Sequence, residues 1–263
     1  MNVGSPGLGQ RARWAVSDTM LLTWRNLMHY VRIPQLIVFA IIQPIMFTVL
    51  FAYVFGGAIS TPGGSYVDFL IPGIIVQTVV FGSLMSGISI VEDVQKGVMD
   101  RFRSLPIARG TVLAARTLSD TLRNTLSVFI MAGVGYLIGY RFHGTVGDAV
   151  LGLAITVAVG LAFSWIAATI GLLVRDTQTA EIAGFTWAFP LVFASSIFVP
   201  IDTMPAWLRA FAEQSPITLA ADAVRAASFG TPMGDAGWLT LLWCAGITAV
   251  FGFLAVRRFS RLT

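Results

Sequence analysis

The chain has 263 residues, of which 56% are hydrophobic and 11% charged, with a mean hydropathy of +0.79. Soluble domains are about 45–50% apolar and about 25% charged, so a soluble enzyme or a nucleic-acid-binding domain is excluded and the chain reads as an integral membrane protein. Its formal net charge of +4 sits on arginines between apolar runs, where topology signals lie, and not in one groove-sized patch.

The opening residues 1–14, MNVGSPGLGQRARW, have early arginines with no apolar stretch behind them and do not read as a cleaved signal. Over residues 11–33 an interfacial helix is expected. Val16, Met20, Trp24, Leu27 and Val31 share one face, and Asp18, Arg25, His29 and Arg32 share the other. Pro34 then turns the chain into the membrane.

A helix needs about 20 apolar residues to cross a bilayer core. Six stretches qualify: residues 36–55, 69–91, 122–140, 149–174, 182–199 and 238–256. Arg123 and Asn124, near the start of the third, are expected to snorkel to the interface. The fifth is short and contains Pro190, so a kinked or broken helix is expected there. No ionisable residue is expected at mid-membrane. Small residues four apart (Gly82 and Ser86, Gly135 and Gly139, Gly160 and Ser164) allow close helix approach.

Between the second and third stretches lies a charged segment, residues 92–109, EDVQKGVMDRFRSLPIAR. It holds Lys96, the only lysine of the chain, and three of its sixteen arginines. Wound as one helix, it places Glu92, Lys96, Asp100 and Arg103 on one face with opposite signs adjacent. Val91, Val94, Val98, Phe102 and Leu105 fall on the opposite face, and Pro106 stops the helix. Such a helix at the mouth of a membrane bundle suits contact with a soluble partner.

With six spans both termini share a side. That side holds 14 of the Lys and Arg residues and the other holds Arg141, Arg209 and Arg225, which places both termini and the charged segment in the cytoplasm. The longest connection on the outer side, residues 200–237, has two helix starts, Thr203 with Pro205 and Ser215 with Pro216, and a stop at Gly230. Two short helices dipping into or lying on the outer leaflet are expected. There is no linker and no clear repeat, so residues 1–263 read as a single domain.

Several chemistries have no footing in the sequence. There is no P-loop, no His-Glu-x-x-His and no cysteine cluster, since Cys244 stands alone. His29 and His143 read as structural. Within the spans the mild polarity of Gln43, Gln77 and Ser83, and the aromatic run that includes Trp187, Phe189 and Phe193, suit a path for an amphiphilic substrate; ordinary packing is the plainer reading.

The order of an interfacial helix, two spans, a charged loop, four spans and a Pro-rich outer segment resembles the permease subunit of type-2 ABC exporters, in the daunorubicin-resistance-like antibiotic or lipid exporter branch. Glu92, Asp93, Gly97, Asp100, Arg101, Arg103, Leu105, Pro106 and Arg109 carry the match in the loop. Pro200, Met204, Pro205, Trp207, Leu208, Pro216 and Arg225 carry it in the outer segment. The resemblance implies an all-α membrane domain with six transmembrane helices, an N-terminal interfacial helix, a cytoplasmic coupling helix and short extracellular re-entrant helices. It implies that Glu92, Asp93, Gly97, Val98, Asp100, Arg101, Phe102, Arg103, Leu105 and Pro106 dock on a separate ATPase subunit. Pro200, Met204, Pro205, Trp207 and Pro216 would close the extracellular end. It further implies two ATPase copies that hold the ATP and Mg2+, a second permease, identical or a sister chain, surrounding membrane lipids, and residence in a bacterial cytoplasmic membrane. This chain would bind no cofactor and would not itself be an enzyme. A self-sufficient channel or secondary carrier is the alternative, and a membrane enzyme acting on lipids or peptides a third class.

Overall fold

The computed structural model describes Met20, residues 23–24, 34–59, 61, 65–97 and 109–262. The helices in order are α1 (Pro34–Leu50, followed by a π-helical turn Phe51–Phe55), α2 (Tyr66–Gln95), α3 (Arg109–Ile138), α4 (Val146–Leu173), α5 (Thr177–Phe193), α6 (Ala206–Gln214), α7 (Pro216–Phe229) and α8 (Gly234–Leu262). Four of them, α2, α3, α4 and α8, are long and apolar enough on their own to cross a membrane. The expected first and fifth spans correspond to α1 and α5, each 17 residues long.

The helix that organises the bundle is α2. Of its most apolar stretch 78% is buried, against 28% for α3 and 17% for α8, so α2 is the hub and α8 the perimeter. Around α2 lie α1, α3, α4, α5 and α7. Lipid supplies no hydrophobic force between helices, so association depends on close packing and interhelical hydrogen bonds. The closest approach is between α2 and α4. A Cβ on Gly87 would lie 2.4 Å from the Ala167 carbonyl oxygen, and one on Gly171 would lie 2.4 Å from the Gly87 oxygen. Farther along, Val79 fills the space over Gly160, so the two helices run in the same direction. Of the small pairs read from sequence, Gly135 faces Ile71 and Gly82 faces Asn124, whereas Gly139 terminates α3 with φ +115° and packs against nothing.

Helix ends follow local chemistry. Thr145 and Asp148 form a capping box at the start of α4, and the Asp176 carboxylate caps α5 by accepting the Thr179 N–H at 2.7 Å. That backbone donor and the Thr179 hydroxyl hold the Asp176 carboxyl below the usual carboxylate range. Pro216 opens α7, and Gly230, at φ +67°, closes it, as expected.

The end of α2 departs from expectation. The charged segment does not form one continuous helix from Glu92. Instead α2 runs on through Gln95, and Gly97 at φ +64° turns the chain out of it. Glu92 and Asp93 therefore belong to the last turn of a span, and the charge ladder is divided at a glycine that adopts the left-handed conformation without the steric penalty of a Cβ. The pairing predicted across that turn is present, with Lys96 Nζ 2.9 Å from Glu92 Oε2. Val98, Asp100, Arg101, Phe102, Arg103, Leu105 and Pro106 lie outside the described residues.

The two ends of the bundle are defined by hydrogen bonds. At the basal end Gln95 Nε2 donates to the Arg175 carbonyl (3.0 Å) and Arg258 Nε to the Leu172 carbonyl (3.5 Å), joining the end of α2, the α4–α5 turn and the last turns of α8. At the distal end the Arg141 N–H donates to Asp68 Oδ1 (2.9 Å) and the His143 N–H to the Ser228 carbonyl (2.8 Å).

Substituting Gly171 with Val forces a branched side chain against the Gly87 backbone. Overpacking of this kind costs about 1–3 kcal/mol or more. The thermal unfolding midpoint of the purified chain in mild detergent is expected to fall by several degrees, whereas Gly133→Ala, whose Cβ meets no atom within 4 Å, leaves it unchanged or raises it.

Candidate functional site

Three regions bear on function: the basal end of α2, a buried polar cluster between α2 and α3, and the distal segment that follows α5. At the basal end, Glu92, Asp93 and Gly97 are the described members of the predicted docking segment. They stand where α2 leaves the bundle, beside the α4–α5 turn. Of the expected interfacial helix, Met20, Thr23 and Trp24 are described. Met20 and Trp24 are exposed, and the Thr23 carbonyl accepts a hydrogen bond from Ser119 Oγ at 3.4 Å. The N-terminal segment thus reaches α3 one residue before Asp120.

The polar cluster overturns two sequence expectations. Arg123 and Asn124 do not snorkel; the Arg123 side chain is only 10% exposed and Asn124 only 5%. Asp120 is fully buried, so ionisable groups do stand inside the bundle. The cause is Gly82, which has no side chain to fill the gap between α2 and α3. The Asn124 amide takes up that space, with Oδ1 2.5 Å from where a Gly82 Cβ would lie, and Arg123 Nη2 donates to the Gly82 carbonyl at 2.6 Å. Asp120, one turn back on α3, lies 3.8 Å from Arg123 Nη1 and accepts a hydrogen bond from Ser86 Oγ. Buried charges persist in lipid only when paired and hydrogen-bonded. Gly82 is ten residues from Glu92, or about 15 Å along the helix axis, so this cluster ties α2 to α3 near the middle of α2.

The distal segment answers a different need. At 17 residues, α5 is roughly 25 Å long, shorter than the roughly 30 Å hydrocarbon layer. Beyond it Ser195, Ser196, Ile197 and Phe198 are buried with irregular backbone, which a membrane protein must satisfy internally. Arg225 of α7 does much of this. It donates through Nη2 to the Ser196 carbonyl (3.0 Å) and through Nε to the Phe69 carbonyl (3.1 Å), pairs with Asp222, and lies 3.7 Å from the Phe69 ring centroid. Tyr66 donates its hydroxyl to the Phe198 carbonyl at 2.8 Å, and Ser196 N–H donates to Thr218 Oγ1 at 3.2 Å. The two short outer helices therefore differ. The surface helix α6 exposes Trp207 and Phe211, while α7 is buried among α2, α4 and α8. Pro200 is buried, Met204 and Pro216 are half-buried, and Pro205 is exposed.

The candidate path residues separate. Phe189 and Phe193 stack on each other at 4.6 Å and continue into Phe198 (5.0 Å) and Phe51 (4.3 Å), with Phe81 and Phe47 alongside. An aromatic ladder thus links α1, α2 and α5. Trp187 lies instead against Phe163 of α4. Ser83 donates to its own helix at Val80, Gln43 is half-buried, and Gln77 is fully buried, its amide unpartnered among the described residues. No group of three or more His, Cys, Asp or Glu suited to a metal occurs among the described residues.

Sequence reading missed the pairing roles of Asp120 and Asp222 and placed Arg123 at the interface, because counting positive charges assigns an arginine to a boundary. A local signal was present. Asp120 precedes Arg123, and Asp222 precedes Arg225, by three residues within apolar helical stretches, a spacing at which opposite charges share a helix face.

The described helices form an apolar bundle, four of them long enough to cross a membrane, with a buried ion pair between α2 and α3. The chain belongs to the ABC-2 type transporter family, whose profile it matches over residues 17–229. It is 34% identical over 244 residues to the daunorubicin resistance ABC transporter permease protein DrrB1 of Streptomyces coeruleorubidus, covering 92% of this chain and 86% of that protein. It is 27% identical over 248 residues to the probable doxorubicin resistance ABC transporter permease protein DrrC of Mycobacterium tuberculosis, covering 93% and 89%. A putative transport permease, ycf38 of Cyanophora paradoxa, is 23% identical over 214 residues, covering 80% and 73%. As an ABC permease subunit the chain is not itself the ATPase; that activity lies in a separate subunit.

A double-mutant cycle tests the internal ion pair. Asp120→Leu alone removes the carboxylate that faces the buried Arg123 and is expected to be destabilising, by up to about 3–5 kcal/mol. Asp120→Leu with Arg123→Leu is expected to cost less than either single change, read from thermal unfolding of the purified chain.

Proposed function

We propose that this chain is the permease of a bacterial exporter that moves hydrophobic or amphiphilic compounds, of the antibiotic or lipid kind, out across the cytoplasmic membrane. The energy comes from ATP and Mg2+ bound by a partner ATPase. Two such subunits and a second permease, identical or a sister chain, complete the assembly, with both termini in the cytoplasm. The observation that carries the reading is the clamp of Arg123 on Gly82 close above the charged segment. Residues 92–109 join α2 to α3, and the clamp fastens those same two helices together. A push delivered to the segment by the ATPase therefore moves α2 and α3 as one body. Asp93, Asp100, Arg101 and Arg103 fix the register of the docking contact, and Val98, Phe102 and Leu105 supply its apolar part. Glu92 and Lys96 pair at its start, Gly97 is the joint between span and docking segment, and Pro106 ends it.

The names of the relatives, resistance permeases for daunorubicin and doxorubicin, support a planar amphiphilic substrate, and the aromatic ladder from Phe81 to Phe51 offers stacking surfaces for one. Gln43, Gln77, Ser83 and Trp187 complete the proposed path. Pro200, Met204, Pro205, Trp207 and Pro216 shape its distal closure, held by Arg225. A proton-coupled carrier would also use a buried carboxylate, but Asp120 is paired with Arg123 and accepts a hydrogen bond from Ser86.

Reversing Arg101 and Arg103 to Glu is expected to abolish transport and substrate-stimulated ATP hydrolysis while the chain remains folded; activity that survives would remove the docking role. Phe193→Ala is expected to alter which compounds stimulate hydrolysis and to leave the unstimulated rate unchanged. Equal loss with every compound would instead mark Phe193 as packing.

A further inference from the structure

The distal half of the bundle contains a feature that neither docking nor the aromatic ladder uses. Between α3, α4 and α7 lies a groove of about 440 Å3, lined by Ile75, Val128, Phe129, Leu153, Val224 and their neighbours. Its volume falls within the roughly 300–1,000 Å3 of small-molecule sites. It opens sideways, since Phe129, Tyr136, Val146 and Val150 on its lip are all exposed. Both helices that form the lip are spans, so whatever fills the groove enters from the bilayer.

The polar groups of the groove show what kind of molecule fits. Thr156 Oγ1 donates to the Gly152 carbonyl at 2.8 Å, and the Tyr140 hydroxyl is paired with Ser228 Oγ at 2.6 Å. These hydrogen bonds are already made within the protein, leaving the deep wall apolar. A ligand with hydroxyls or amines along its body would bury them there unpaired. Plain hydrocarbon loses nothing.

The distal rim is different. Arg141 follows Tyr140, and its Nη1 donates to the Tyr136 (2.9 Å) and Tyr140 (2.7 Å) carbonyls, two groups at the mouth of the groove. Its guanidinium lies 5.7 Å from the Tyr136 ring centroid and is exposed. The nearby carboxylates are engaged with backbone: Asp68 accepts the Arg141 N–H, and Asp148 accepts the Thr145 N–H and hydroxyl. Tyr136 and Arg141 stand where an aromatic and a cation meet the headgroup layer. An oxyanion accepts the remaining donors of an exposed guanidinium, and at the edge of a bilayer the lipid phosphodiester is the abundant one.

We propose that this groove is a phospholipid site in the leaflet on the α7 side of the membrane. One acyl chain lies between α3 and α4 against α7, and the phosphate rests on Arg141. The site is separate from the exported compound and stands whether or not the export reading does.

The test uses the full-length chain in mild detergent and phosphatidylglycerol with a photoreactive diazirine in one acyl chain, with labelled peptides mapped by mass spectrometry. Labelling is expected to concentrate between residues 128 and 156. Ala149→Trp, which fills the groove, is expected to abolish it. Arg141→Ala is expected to weaken retention about tenfold, the worth of one charge-assisted hydrogen bond, and Arg141→Lys to restore most of it. Diacylglycerol with the same photoreactive chain is expected to label the same peptides weakly, and inorganic phosphate to compete poorly with the lipid. Even labelling of all lipid-facing helices, or labelling indifferent to both Ala149→Trp and Arg141→Ala, would overturn the site. Full displacement by inorganic phosphate would reduce it to an ion contact at Arg141 and overturn it equally. The thermal midpoint of each variant serves as the folding control, and the Arg141 pair decides the matter if Ala149→Trp does not fold.

Discussion

The contact of Gly87 with Ala167 and Gly171 sets how closely α2 and α4 run, and the other helices are arranged around that pair. In lipid an apolar side chain gains little by touching another protein side chain, because the tails are as apolar as it is. What holds helices together is backbone proximity and the hydrogen bonds that proximity permits. Glycines placed one above another give α2 and α4 that proximity. With α4 fixed against one side of α2, room remains for α3, α5 and α7 on the others, and the site geometry follows from where α2 lacks a side chain.

Gly82 is the second such place. Its bare carbonyl draws Arg123 into the bundle, and Asp120 and Ser86 make the burial tolerable. At the distal end Arg225 meets the same kind of obligation, donating to carbonyls of Phe69 and Ser196 where the chain after α5 has left its helix. Both arginines are structural clamps on α2, one bonded to Gly82 near its middle and one to Phe69 near its start. Between them α2 is tied to its neighbours at two points along its length. Beyond the Arg123 clamp, α2 ends at Gly97 in a left-handed turn.

Much of this was readable in the residues. Apolar runs located the helices, and Pro216 and Gly230 marked the start and end of α7, because capping is local and the local sequence contains it. The pairing of Glu92 with Lys96 followed from spacing alone, whereas Glu92 and Asp93 belong to the last turn of α2 and not to a separate segment. The division of that segment at Gly97 was lost because a helical wheel counts charges and ignores a glycine between them. The burial of Arg123 was lost because it depends on a gap in another helix, forty-one residues away, and no periodicity within α3 contains that information. The reach of Arg225 to Ser196, twenty-nine residues away, was hidden for the same reason.

The central claim is that this chain receives its energy at residues 92–109 from a separate subunit and delivers it through α2 and α3. The most direct measurement is gentle purification from the native membrane, identification of what accompanies the chain, and an assay of hydrolysis with amphiphilic compounds added. The account predicts a P-loop ATPase in equal amount whose rate responds to such compounds. A chain that purifies alone and moves solute in liposomes without ATP would contradict it.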